Sequence, residues 1–148
     1  MSTVTSPQAL DPLDRADARA FLGRGFAYPL AIDASGAIAM AEYEEDIRQA
    51  IRIILDTDPG ERVMRPDFGA GLRALLFEPI NMHTTALIRH RVEQSLILWE
   101  PRIDSIGVDV RADPLNGMVN VDVRYRVRTT NTFYNLVYPF YLQEGRTA

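Results

Sequence analysis

Cysteine and lysine are both missing from these 148 residues. The first absence removes disulfide scaffolds, zinc–thiolate centres, iron–sulfur clusters and thiol nucleophiles together. The second leaves arginine as the source of all 16 basic side chains, each able to make forked, bidentate contacts with carboxylates. Positive charge is in deficit. A formal net charge of −4 argues against a general nucleic-acid binder, which carries a basic footprint. Apolar runs last only a few residues, far short of the ~20 that a membrane helix needs. The first 25 residues hold acids and no apolar stretch of a secretory leader. A cytoplasmic origin is therefore expected, with no nucleic-acid partner and no membrane insertion. Histidine is scarce too: only His83 and His90 occur. On one helix they stand about 10 Å apart by helical rise, too far to share one metal without further ligands. Glycine-rich phosphate cradles are lacking, because Gly69-Ala70-Gly71 follows no buried strand and has no P-loop lysine. Neither a metal nor a cofactor is expected.

What is present suits one domain-sized core. Hydrophobic residues make up 47%, and a chain of this length buries roughly 70% of its unfolded surface. Residues 1–24 have apolar side chains too sparse to form a face and read as an arm. The domain proper is expected over residues 25–148. A short strand is predicted from Phe26 to Ile32 around Pro29, a turn at Asp33-Ala34-Ser35-Gly36, and a second short strand over residues 37–41. Ile47, Ala50, Ile51, Ile54 and Leu55 recur at helical period, predicting a helix over residues 42–57 with acids in its first turns. Asp58-Pro59-Gly60 stops it. A loop over residues 62–71 and a short helix over residues 72–77 follow. A second helix starts near Asn81 or Thr84 and runs to Trp99, with Ile88, Val92, Leu96 and Trp99 facing inward.

The period then changes to two. Ile106, Val108 and Val110 alternate with polar residues, and Asp113-Pro114-Leu115-Asn116-Gly117 supplies a hairpin connection. On the return strand Val119, Val121, Val123, Tyr125 and Val127 share one face, while Asn120, Asp122, Arg124, Arg126 and Arg128 share the other. A third strand is predicted over residues 133–142. The fold class is α+β: helices packed on one face of a small antiparallel sheet, with a C-terminal β-hairpin and an edge strand.

Catalysis finds little support. Glycoside cleavage needs two carboxyl groups across a bond. Glu78, Glu93 and Glu100 are the candidates, but no aromatic platform accompanies them. Glu100-Pro101-Arg102 is more distinctive, since Pro101 stiffens a corner directly after the only tryptophan. Spacing leaves two readings open there: an internal ion pair locking the helix-to-strand junction, or a charge pair offered to a partner. On the second reading Arg102→Ala leaves folding intact. The last strand carries five aromatics between Phe133 and Tyr141. Phe133, Val137 and Tyr141 point one way; Tyr134, Leu136, Tyr138, Phe140 and Leu142 point the other. A strand apolar on both faces belongs inside layers, whereas Pro139 belongs at an edge. Both hold if the strand is an edge completed by another chain.

Several of these residues coincide with a known pattern. Gly60-Glu61-Arg62, Met64, Pro66, Phe68-Gly69, Leu76-Phe77-Glu78-Pro79 and Trp99-Glu100-Pro101-Arg102-Ile103 resemble the baseplate-wedge or sheath-initiator family of contractile tails and injection systems, the gene-product-twenty-five-like family once labelled lysozyme-like. The ending Asn135-Leu136-Val137-Tyr138-Pro139-Phe140-Tyr141-Leu142 is similar to its injection-particle branch. The likeness spans about residues 25–142. It implies a structural, non-catalytic baseplate subunit in six copies, bridging the wedge core and the first ring of sheath protein. Hub, spike or tube-initiator proteins are the further neighbours it suggests. It places wedge-core binding at Glu100, Pro101 and Arg102. Sheath binding falls at Arg124, Arg126, Arg128, Asn135, Leu136, Val137, Tyr138, Pro139, Phe140 and Tyr141. Backbone pairing is expected to supply register, and Leu136, Tyr138 and Phe140 the apolar area. The implied location is a tail-like particle assembled in the cytoplasm, carried in a virion or released. The alternative the old label implies is a peptidoglycan-cleaving hydrolase using Glu78 or Glu100.

Overall fold

A computed structural model describes residues 22–141. The chain divides into two compact units between Asp46 and Ile47. In the first, β1 (Arg24–Phe26) pairs antiparallel with β2 (Met40–Glu42). The first strand is earlier and shorter than the sequence predicts. Pro29 has no amide donor to continue a ladder, and beyond β1 the two sides are joined by an isolated Ile32–Ile38 bridge and by single backbone bonds, Ala27 N to Ala39 O at 2.9 Å and Ala39 N to Ala31 O at 2.8 Å. The predicted turn between them is present. Asp33 Oδ1 accepts from Ser35 N at 2.8 Å and Ala37 N at 3.2 Å. The arm expected over residues 1–24 lies mostly outside the described residues.

Helix α1 (Tyr43–Asp56) matches its predicted span, and Ile47, Ile51, Ile54 and Leu55 are its buried stripe. The loop after it folds back to satisfy the last helical carbonyls, which have no partner within the helix. Ala70 N donates to Ile54 O at 3.0 Å and Gly71 N to Thr57 O at 3.4 Å. Gly69 makes this return possible. It has φ +117°, and a Cβ there would stand 2.1 Å from the Thr57 carbonyl oxygen, so no other residue fits. A 3-10 turn (Leu72–Leu75) follows. Helix α2 (Met82–Trp99) begins at Asn81, whose side chain accepts from Thr84 N at 2.9 Å, a standard N-terminal cap. It buries Ile88, Val92 and Leu96. Trp99 is half-buried, with its ring 5.2 Å from that of Phe68.

The sheet of the second unit runs β3 (Ile103–Asp113), β4 (Met118–Val127), β5 (Thr132–Tyr141), all antiparallel. The observed class is the α+β arrangement expected. Val119, Val121, Val123, Tyr125 and Val127 are all buried, and β5 is an edge strand as Pro139 requires. The register has one irregularity. Between Asp104 and Gly107, two residues of β3 oppose one of β4, a bulge with Ser105 at φ 50°. It shifts phase, so Ile103 and Val108 both turn inward although an odd number of bonds separates them. No described helix is long and apolar enough to cross a membrane.

Candidate functional site

The corner resolves in favour of the internal lock. Glu100 caps the C-terminal end of α2, its N–H donating to Leu96 O at 3.0 Å. Its side chain is 3% exposed. Arg102 grips it in a fork: Nε to Oε1 and Nη2 to Oε2, each at 2.7 Å, with Arg102 N adding a contact of 3.3 Å to Oε1. Both oxygens of Glu100 are therefore spent inside the chain, and Arg102 remains 30% exposed. Pro101 is exposed. The corner is also stitched to the sheet, because Arg128 N donates to Arg102 O at 3.0 Å.

The arginine row splits into three situations. Arg126 makes a bidentate pair with Asp104 at 2.7 and 2.8 Å and lies 6.0 Å over the Phe133 ring. Arg128 donates to Ile103 O at 3.3 Å and stands 4.0 Å from Asp104. Arg124 is exposed, opposite Gly107 on β3 and Asn135 on β5. Asp104 was not legible as a site residue, because the bulge that brings it beside Arg126 leaves no period in the sequence.

The Arg126 hydrogen bonds, then the Arg126 and Arg128 charges, hold the Asp104 carboxyl below its ordinary 3.8, against the opposing effect of partial burial. A carboxyl with a lowered folded value stabilises the fold above its unfolded value and loses that contribution as pH falls through the folded one. An NMR acid titration should show Asp104 as a low-titrating aspartate. Arg126→Ala should move it back up, and no movement would remove the pair as the cause.

On β5 the structure corrects the assignment of apolar area. Leu136 and Phe140 are 3% and 6% exposed, opposite Val123 and Val119, so they complete the chain's own core. Tyr138 is half-buried and its hydroxyl donates to Asp56 Oδ1 at the end of α1. Phe133, Val137 and Tyr141 are the exposed ones, at 67%, 53% and 63%, with Asn135 and Pro139 exposed between them. The valine ladder of β4 decides which face turns in, and Phe133 joins the set the sequence had left out.

A separate groove of about 1040 Å³ lies between the loop after α1 and the second half of α2. Asp58, Arg73, His90, Arg91 and Trp99 line it. Two of its cations are spent internally: Arg91 on Gly71 O at 2.6 Å and Arg73 on Glu61 at 2.5 Å. No group of three metal-ligating side chains forms among the described residues.

Known proteins sort with this geometry. The profile of the baseplate wedge protein gp25 family matches residues 41–132. The baseplate wedge protein gp25 of Enterobacteria phage T4 is 30% identical over 81 residues, 55% of this chain and 61% of that protein's length. A crystal structure from Geobacter sulfurreducens, named a candidate tail lysozyme, is 51% identical, with a TM-score of 0.66 over 74% of this chain and 99% of its own. A chain of the anti-feeding prophage baseplate shares the fold at 23% identity and a TM-score of 0.61, covering 88% of this chain and 94% of its own. With the profile spanning more than half of its residues, the chain belongs to the baseplate wedge protein gp25 family.

Proposed function

We propose that the protein is a non-enzymatic baseplate subunit that links the wedge core to the first sheath ring and starts sheath assembly by accepting a strand on β5. The observation that carries this is the outer edge of β5, which no described strand pairs with, flanked on the outward face by exposed Phe133, Val137 and Tyr141. Each such side chain contributes about 1.5–3 kcal/mol on full burial, before the costs of association are deducted. Pro139 sits on the edge strand where its missing donor faces the open side. The two-residue repeat then turns the N–H groups of Asn135 and Val137 to that side, ready to set a partner's register. Arg124 and the outer rims of Arg126 and Arg128 border the strip. Wedge-core contact falls to exposed Pro101 and the partly exposed Arg102, with Glu100 acting from behind as the brace. In this reading residues 1–24 form an arm on a wedge domain over residues 25–148. Six copies sit in each baseplate, next to hub, spike or tube-initiator proteins. Assembly in the cytoplasm precedes carriage in a virion or release of the particle.

A hydrolase reading has one observation in its favour, the kinship with the Geobacter protein named for lysozyme. Against it, Glu100 holds neither oxygen free for proton transfer, and general acids must reach the bond they protonate. Purified wild-type protein should leave a peptidoglycan suspension turbid. Clearing that Glu78→Gln or Glu100→Gln abolishes would establish the hydrolase instead. The assembly reading is tested by micrographs of particles from a strain lacking this chain, which should contain no sheathed baseplates; normal sheaths would reject it.

A further inference from the structure

On the outward face of the sheet, most charges are matched; among the described residues Arg124, exposed, and Asp122, two residues before it on β4, make no ion pair. Asp104 is taken by Arg126, and Asp109 by Arg111 at 3.3 Å. Asp122, in the middle strand, has no such partner among the described residues. It stands directly opposite Asp109 on β3, an arrangement of like charges that weakens a sheet. Its Oδ1 is buried without a hydrogen bond among the described residues. Buried acceptors in that state are rare and call for a cause.

On its other side, Asp122 is paired with Val137 of the edge strand. On that face Val137 stands between Asn135 and Pro139, with the exposed rings of Phe133 and Tyr141 further along the strand, and Asp122 lies beside it on β4. A strand added to β5 would run two strand spacings, about 9.6 Å, from β4. From there a long basic side chain can lay its apolar stem over Val137 and place its charged head on Asp122, since arginine and lysine bury their stems along apolar surface.

We propose that Asp122 is the specificity anchor of the docking strand: the segment that adds to β5 carries an arginine or lysine in register with Val137, which pairs with Asp122. This rests on the strand-acceptor reading above and names the chemistry of its partner. In the free subunit Asp122 is a liability, and in the assembled one it is paired. The two states therefore predict opposite signs for one substitution.

Asp122→Asn should raise the thermal midpoint of the isolated subunit, because a like charge and an unpaired carboxylate are removed together. In complete particles it should cut the fraction of sheathed baseplates about tenfold, as expected for losing one close charge pair across an interface. Raised salt should depress sheathing by wild type more than by the variant, which has already lost this pair. A midpoint and a sheathed fraction that fall together would show that Asp122 is only structural. Normal sheathing by Asp122→Asn, with Val137→Pro particles unsheathed, would sink the anchor and spare the strand-acceptor reading. Normal sheathing by both variants would sink both.

Discussion

Arg102→Ala is expected to lower the stability of the isolated protein by about 3 kcal/mol, read as a shift in the denaturant midpoint. Removing one member of a buried ion pair costs roughly 3–5 kcal/mol, because the other charge stays behind in a poor solvent. The low end applies here, since Arg102 is 30% exposed and water can partly replace it. The loss is large against a typical total of about 5–15 kcal/mol. The partner reading of this corner expects the opposite, unchanged folding. The two-pronged bond between Arg102 and Glu100 is the reason to expect otherwise. Replacing both residues by leucine should recover most of the loss, as apolar substitutes for whole buried pairs often do. A fully stable Arg102→Ala would mean that Glu100 finds another partner and that the corner is no lock.

Val137→Pro is expected to leave β4 and β5 paired and to abolish sheath on otherwise complete baseplates. The substitution removes an amide donor that the repeat from Pro139 turns to the outer edge. It takes nothing from the ladder to β4, because residue 137 shares the phase of Pro139. Val137→Ala is the control: it keeps the donor, trims the exposed side chain and should reduce sheathing only in part. Circular dichroism of the purified variants checks that the sheet persists, and counts of sheathed particles give the result. Normal sheaths on Val137→Pro particles would show that no strand pairs there.

Much of the architecture was legible because it follows from single periods. The stripe Ile47, Ile51, Ile54 and Leu55 placed α1, Asn81 and Trp99 bounded α2, and the alternation from Val119 to Val127 fixed β4 and its inner face. Features that depend on two elements at once were not legible. The bulge at Ser105 and Ile106 has no signature, and with it Asp104 stayed unseen. Glu100 and Arg102 are two residues apart, a spacing equally compatible with facing each other and with facing outward; only the end of α2 closing over Glu100 decides it. On β5 both faces are apolar, so the strand alone cannot say which one turns in. Val119, Val121 and Val123 make that choice from the neighbouring strand. The apolar area was accordingly assigned to Leu136, Tyr138 and Phe140, when the exposed row is Phe133, Val137 and Tyr141.

A density map of the intact particle, at a resolution that separates strands, examines the main idea without any variant. It should show a fourth strand, from a different polypeptide, hydrogen-bonded along β5 past Asn135 and Val137. A β5 edge open to water in the finished assembly would contradict it.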